Sequence, residues 1–534
     1  MSGQMKTCYD VIVAGGGAAA VRAALSAADA GAQVAMITGG GPTGSTYYPL
    51  SPAWGVMYAE GEKDCEAFFS EILSSSLGCL NPKLARQLVE DSAARYYDLQ
   101  SWGLHFISLE SIRLKTCFGT SLRGAVLDDV SSLIPLMHRQ LYKRNVNLHP
   151  DLYAIDLVIV DGQCCGLLCA DKEGRQITLP AGAVVLAMGG AESLWQYCCA
   201  GDSLLGGAYA MAARHGAPLV NLEFIQFLLG TFSPLPGTLF YHFTLSTHPH
   251  LTDEKDNPLL ECLPNGITKE TCMDAHALHG PFTTLDESMY IERSILKHSR
   301  ENGRPCPAKL TYTCDIRSNH SFSRWNRYLK RANIDATSQS FLLYPHCQGF
   351  NGGVEIDENA STSIAGLYAA GESAGGIHGA NRMGGNSILA TQVFGHIAGT
   401  QAAVFAARSR APLRHQAIFS VPPGADHLSS REVIRELKQV MQRYAFLERN
   451  ESELLLALER IGELESLFDA CAVASREKSP LPFLAANALT AARMIVTSML
   501  ARKETIGGHL RTDASVCVHN GKVQPQYLNR KQGG

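Results

Sequence analysis

A run of three glycines between two apolar segments constrains this chain more than any other feature. Residues 8–14 (CYDVIVA) form a short apolar run ending at glycine, the pattern of a buried strand. Gly15, Gly16 and Gly17 follow. Lacking Cβ atoms, they let the backbone turn sharply and approach a diphosphate closely. Residues 18–30 are mostly alanine with Val21 and Leu25, which predicts a helix, and Gly31 supplies its stop. The free N–H groups opening that helix point at the turn and suit an anionic ligand. The spacing is Gly15-x-Gly17-x-x-Ala20, a variant of the dinucleotide fingerprint. A second strand is predicted over residues 33–38 (QVAMIT), at the distance the fingerprint requires.

A length of 534 residues implies two or three domains. With 46% hydrophobic and 18% charged residues the chain can fill large cores. A formal net charge of -4 argues against nucleic acid as the main partner. No apolar run reads as a membrane span, and residues 1–7 lack a signal peptide's apolar stretch. A cytoplasmic protein without an integral membrane segment is expected. Sixteen cysteines fit a reducing compartment. They form no C-x-x-C pair, since Cys164-Cys165 and Cys198-Cys199 are adjacent and the rest scattered, which speaks against an iron–sulfur cluster within the chain. Most read as small buried apolar residues, and no metal site is expected.

Residues 39–55 (GGGPTGSTYYPLSPAWG) form a loop long enough to suggest a functional role. Residues 64–104 read as helical, with Pro82 opening a second helix. Residues 146–178 alternate and turn at Asp161-Gly162 and Glu173-Gly174, predicting a small antiparallel sheet. Residues 183–188 (AVVLAM) read as a buried strand ending at Gly189-Gly190, with a helix near 205–215. From Pro234 to about Ser340 the composition shifts toward His, Pro, Thr and charge, which suggests an inserted domain. A strand is read at 367–370, a turn at 371–373 and a long apolar helix at 385–407. Amphipathic helices are predicted at 431–447, 453–473 and 483–501, a C-terminal helical bundle.

Together these segments resemble the flavoprotein family of L-aspartate oxidase and the flavin subunits of succinate dehydrogenase and fumarate reductase. The resemblance rests on the fingerprint, Gly44-Ser45-Thr46, residues 221–227 (NLEFIQF), Gly352-Gly353-Val354, and Arg502-Lys503-Glu504 with Gly508-His509. Its most specific part is Gly371-Glu372 followed by residues 378–387 (HGANRMGGNS). It implies an α/β fold: a Rossmann-like FAD-binding domain (1–235 and 341–422), an inserted α+β capping domain (236–340) and a C-terminal helical domain (423–534). It also implies FAD held by Gly15, Gly17, Ala20, Thr38, Gly44, Ser45, Thr46, Gly189, Glu372, Asn386, Ser387 and Leu389. Glu372 would meet ribityl hydroxyls, and the amides opening the 385–407 helix would face the N1–C2=O edge of the ring. Thr38 stands where the family usually has an acidic residue. Ser45 stands at the position of the respiratory enzymes' linking histidine, so the FAD is expected to be non-covalent.

The family moves a hydride between flavin N5 and a carbon next to a carboxylate, with arginine and histidine clamping the acid. Arg382 matches the clamping arginine. Leu228, Gln348 and Ser288 stand where the family has a histidine, a second histidine and an arginine. His346 lies near Gln348, and Arg293 lies further along the helix that begins near Ser288. His279, His242, His248 and His250 are candidates to compensate. One of four dicarboxylate contacts is therefore retained, and a substrate diverged from C4 dicarboxylates is expected. Alternatives are the flavin subunit of a complex with an iron–sulfur partner, or a flavin-binding protein without catalysis.

Overall fold

The computed structural model describes residues 8–41, 46, 54–409, 417–420, 422 and 424–514, and the backbone of 527–528. Gly44 and Ser45 therefore lie outside the described residues. The core is a five-stranded parallel sheet in the order Asn147–His149, Val34–Ile37, Tyr9–Ala14, Gln176–Leu186, Leu367–Ala369. Alanine, valine, isoleucine and leucine dominate its three inner strands, which are covered on both faces. The strand Gln176–Leu186 is long enough to serve two sheets. Its second half pairs with Tyr9–Ala14, and its first half joins Gln163–Ala170 and Tyr153–Val160 in an antiparallel meander.

The predicted glycine-turn helix is Ala18–Asp29, and ten of its residues are buried. It lies against Asn386–Arg408, a helix rich in alanine, glycine and threonine. Small residues set their approach. A Cβ on Gly395 would sit 2.9 Å from the Ala19 carbonyl oxygen, and one on Gly399 only 2.1 Å from that of Ala23. Two polar pairs lock the register, Arg22 Nε to Gln392 Oε1 at 2.9 Å and Ser26 Oγ with His396 Nδ1 at 2.9 Å. Both helices thereby aim their N-termini at one place.

The capping region is an antiparallel sheet in the order Ile225–Ser233, Phe341–Phe350, Ala308–Thr311, His250–Thr252. Two of its strands lie outside residues 236–340, so the sheet itself joins the insert to the rest of the chain. Helices Lys269–His279 and Met289–Glu301 complete the region.

Pro82 opens a second helix as predicted, and the helical segments divide further, into three over 64–104 and two over 453–473. Residues 64–104 contain Gly61–Ser76, Pro82–Glu90 and Ser92–Ser101, and the 453–473 segment splits into Glu451–Ser466 and Ala470–Glu477. Asn81 and Asp469 cause two of these breaks by accepting backbone N–H bonds as new N-caps. The C-terminal helices are tied inward by a buried network. Arg502 Nε donates to Glu223 Oε1, Ser498 Oγ donates to Glu223 Oε2, and Arg449 Nη1 donates to the Glu223 carbonyl. Contrary to the sequence expectation, Asn386–Arg408 and Leu481–Ala501 are long and apolar enough to cross a membrane. In this fold 61% and 72% of their apolar windows are buried inside the protein.

The helix contact predicts the outcome of Gly399→Ala. A methyl directed at the Ala23 carbonyl should overpack the interface and cost about 1–3 kcal/mol. Urea unfolding should show a lowered midpoint, and an unchanged midpoint would contradict this packing.

Candidate active site

Ligands of open parallel sheets gather beyond the carboxyl ends of the strands. Here Ala187 and Ala370, which follow two of those ends, help line a cavity of about 270 Å³ roofed by the capping sheet. Gly17, Ala18 and Ala19 from one helix start and Ser387, Ile388 and Thr391 from the other line the same cavity. Two sets of free N–H groups, each carrying partial positive charge, thus converge on it. Thr46 Oγ1 lies on this wall and accepts from Ala18 N at 3.3 Å. A second cavity of about 130 Å³ opens on the other side of the glycine turn, lined by Gly16, Thr38, Gly41, His138 and Leu141 among others. Thr38 therefore stands on the side where the adenosine half of a dinucleotide would lie.

The glycines are required by backbone proximity. Gly15 has φ +127°, and a Cβ there would lie 2.0 Å from the Ala187 carbonyl oxygen. Gly189, at φ +76°, lines the main cavity, where a Cβ would press on Leu204 at 2.8 Å. Ala20 and Leu389 are fully buried, and each packs one of the two helix starts from behind. Asn386 is buried with Oδ1 lacking a partner. The cradle, the orphaned oxygen and the paired helix termini fit a flavin dinucleotide.

Glu372 faces this cavity and accepts from Phe350 N at 2.7 Å. Behind it lies Glu192, which no motif singled out and which is fully buried. Burial, then the charge of Glu372, push the Glu192 carboxyl well above the usual carboxylate range. Glu192 is thus the protonated member of the pair, leaving Glu372 as the acceptor.

Arg382 is half-buried on the cavity wall. Its Nη2 is 3.5 Å from Gln348 Oε1 and its Nη1 is 3.4 Å from the Met383 carbonyl oxygen. Burial lowers its pKa, with Glu372 opposing. No described carboxylate lies within ion-pair distance of it. Gln226, buried and lining the same wall, donates to the Arg382 carbonyl at 3.3 Å and leaves Oε1 without a partner. His378, earlier in the motif, is held neutral, its pKa lowered to about 3 by burial and then by Arg382. The remaining cation on the cavity wall is Lys115, exposed at the rim.

The other sequence candidates stand elsewhere. His346 is opposite Leu228 in the sheet, but its ring folds over Gly230, where a Cβ would lie 2.5 Å from Nδ1. Nδ1 donates to the Tyr344 carbonyl at 2.7 Å, and burial lowers its pKa to about 4. Arg293 pairs with Glu448 at 2.7 Å and joins the capping helix to the C-terminal region. Both nitrogens of His279 are engaged, Nδ1 with the Pro281 carbonyl at 2.8 Å and Nε2 with Asp286 at 3.2 Å. Pro281, not His279, reaches the cavity. Ser288 is buried at the start of Met289–Glu301 and does not line it. His248 pairs with Asp274 and His250 is exposed. His242 alone of the candidate histidines lines the cavity, beside Cys117. Cys117 was invisible in the sequence, where no motif surrounds it.

The sequence matches the FAD binding domain family over residues 10–238 and 272–388, and the fumarate reductase flavoprotein C-terminal family over 434–521. An uncharacterised FAD-dependent oxidoreductase of Methanocaldococcus jannaschii is 26% identical, covering 95% of this chain and 94% of that protein. L-aspartate oxidase of Caulobacter vibrioides is 27% identical, covering 94% and 93%. Among solved structures, Mycobacterium smegmatis Sdh1 in complex with UQ1 superposes with a TM-score of 0.74 at 23% identity, covering 96% of this chain and 90% of that one.

Gly15→Ala should purify without flavin absorbance, because its methyl meets the Ala187 carbonyl in the cradle. Gly31→Ala is the control, with a positive φ but no atom within 4 Å of the added methyl. It should lose about 1 kcal/mol of stability and keep its flavin. A Gly15→Ala protein that retains flavin would contradict the placement of the diphosphate.

Proposed function

The chain belongs to the family of this FAD binding domain and is a FAD-dependent oxidoreductase; on that premise we propose that it acts on a C–C or C–N bond beside a single carboxylate, held by Arg382. When bound, FAD supplies or accepts the hydride at N5. The residues that would hold it are Gly15, Gly17, Thr38, Thr46, Gly189, Glu372, Asn386 and Ser387, with Ala20 and Leu389 shaping the two helix starts. We read the attachment as non-covalent, since residues 39–61 contain no histidine.

The charge inventory of the cavity carries this reading. Arg382 is its one interior cation among the described residues, and His242 is held neutral by burial and by two neighbouring histidines. Residues 42–53, between Gly41 and Trp54 in the sequence, contain no charged or histidine residue. One half-buried guanidinium matches one carboxylate bidentately, with Gln348 and Gln226 beside it as neutral amides. A second carboxylate would be desolvated among Leu228, Leu239, Phe240 and Phe243 without a partner. Leaving a charged group unpaired costs roughly 1.5–3 kcal/mol, or one to two decades in affinity. The substrate is therefore less charged, or bulkier, than a C4 dicarboxylate.

A specific observation favours docking to an electron-transfer partner as well. Leu455, Leu456 and Leu467 are exposed on or beside the C-terminal helix Glu451–Ser466. An apolar face there suits a protein partner, including one bearing iron–sulfur clusters. Recovery of an iron–sulfur protein with the native chain, lost on Leu455→Lys, supports that reading. We place the protein in a reducing, cytoplasmic compartment, in keeping with free thiols on all fifteen described cysteines.

The test is anaerobic absorbance of flavin-loaded protein with carboxylates added in turn. Monocarboxylates with an apolar body should bleach it, or 2-enoates such as cinnamate recolour the reduced form, more readily than succinate, L-aspartate or fumarate. Arg382→Met should keep the flavin spectrum and lose at least tenfold in apparent affinity for the responding acid. An unchanged response in Arg382→Met would remove the role assigned to this arginine.

A further inference from the structure

Cys117 and His242 come together from segments 125 residues apart, with Cys117 Sγ 3.7 Å from His242 Nε2, on the wall that also carries Arg382. Resting on the reading of Arg382 as the acid clamp, we propose that Cys117 is the proton donor and acceptor at the substrate carbon and that His242 is its proton partner. The arrangement is built on both sides. Gly384 N donates to the Cys117 carbonyl at 3.0 Å, which pins the thiol-bearing turn to the glycines just after Arg382. A Cβ on Gly384 would collide with Thr116 Oγ1 at 2.3 Å, so the approach depends on glycine. On the capping side, a Cβ on Gly280 would lie 2.5 Å from His242 Nδ1, so this glycine makes room for the imidazole.

His242 is 7% exposed, and its Nε2 meets the Cys117 sulfur. The groups facing it are His276 and His279 from helix Lys269–His279, whose partners are Glu292 and Asp286, and Cys117 from the opposite wall. Burial first, then those two histidines, hold the imidazole well below its usual pKa. Burial pushes the Cys117 thiol up to about 11, with Arg382 opposing. The pair therefore rests as neutral thiol and neutral imidazole. That state matches the task. A neutral thiol can give a proton to a carbon that becomes carbanion-like beside the clamped carboxylate, and the imidazole can receive one when the reaction runs the other way.

In the reducing direction the S–H bond of Cys117 breaks and a C–H bond forms at one alkene carbon. The hydride at the other carbon would be supplied by reduced FAD when that cofactor is bound. The resulting thiolate regains a proton from water by way of His242. In the oxidising direction His242 takes the thiol proton, the thiolate removes the proton from carbon, and imidazolium returns a proton to water. Substrate thus loses one hydride and one proton, and both residues finish as they began. The substrate class this implies is a 2-enoate or the corresponding saturated acid.

Peptide-resolved alkylation of flavin-loaded protein by iodoacetamide tests the pair without a known substrate, with exposed Cys262, Cys314 and Cys471 as internal references. Labelling of Cys117 should fall about tenfold in His242→Gln, while the reference cysteines keep their rates. His242→Asn serves if the first variant loses its flavin. Cinnamate should slow Cys117 labelling in the native protein and fail to do so in Arg382→Met. Equal Cys117 labelling with and without His242 overturns the pairing. With cinnamate or fumarate as oxidant of the reduced protein, Cys117→Ala should keep its flavin and reoxidise at least a hundredfold more slowly than the native protein, with Cys117→Ser between them. Reoxidation of Cys117→Ala at the native rate overturns the proton role while leaving the Arg382 reading intact. His242-dependent labelling in a protein that no enoate reoxidises supports the pair and overturns the enoate substrate class instead.

Discussion

The close approach of helices Ala18–Asp29 and Asn386–Arg408 is the constraint on which the site depends. Gly395 and Gly399 remove the side chains that would hold the helices apart, and Arg22–Gln392 and Ser26–His396 fix how far one can slide along the other. Their starts are consequently brought to one cavity, where unpaired N–H groups of both can meet negative charge. A dinucleotide held there would be able to bring its anionic groups to both starts. The same glycines that let the helices touch thus set the distance between the two anion-receiving points of the cofactor site. Arg22 deepens the dependence. It is buried, its pKa lowered to about 10 by burial against the pull of Asp98, and it lies over Trp102 at 4.2 Å.

Above that frame the capping sheet decides what can react. The capping region contributes Gln226 and Leu228 from the strand Ile225–Ser233 and Phe240 and His242 from the segment that follows it, while Gln348 reaches Arg382 from the paired strand Phe341–Phe350. The electrostatics are sparse by design of the sequence. Glu192 is protonated, His242 and His378 are neutral, and Arg382 keeps its charge with no described carboxylate paired to it. We propose that a wall with one guanidinium, free of any described carboxylate partner, favours a single acid and leaves the rest of the substrate to apolar contact.

Much of this fold was legible in the sequence because it is local. The strand, glycine turn, alanine helix and second strand obey periodicities that span a few residues, and the meander over residues 146–178 announced itself through alternation and two turn signals. Arg382 and Glu372 were legible through a motif with neighbours on both sides. The rest depends on pairing across long separations. The capping sheet joins Ala308–Thr311, inside the insert, to Phe341–Phe350, outside it, so a domain limit drawn on composition cuts through the sheet. His346 looked close to the site along the chain, yet the gap over Gly230 draws its ring away. Arg293 looked free until Glu448 arrived from the C-terminal region. Cys117 carried no local signal, since its partner is 125 residues distant and its role follows only from the cavity both residues line.

We propose that this cavity holds one carboxylate and not two. Equilibrium perturbation of the oxidised flavin spectrum by fumarate and by monomethyl fumarate, at fixed ionic strength, isolates that question because the carbon skeleton is constant. The monoester should bind tighter by about one to two decades, the cost of an unpaired second carboxylate. Tighter binding of fumarate would contradict it and would require a second cationic partner for the acid.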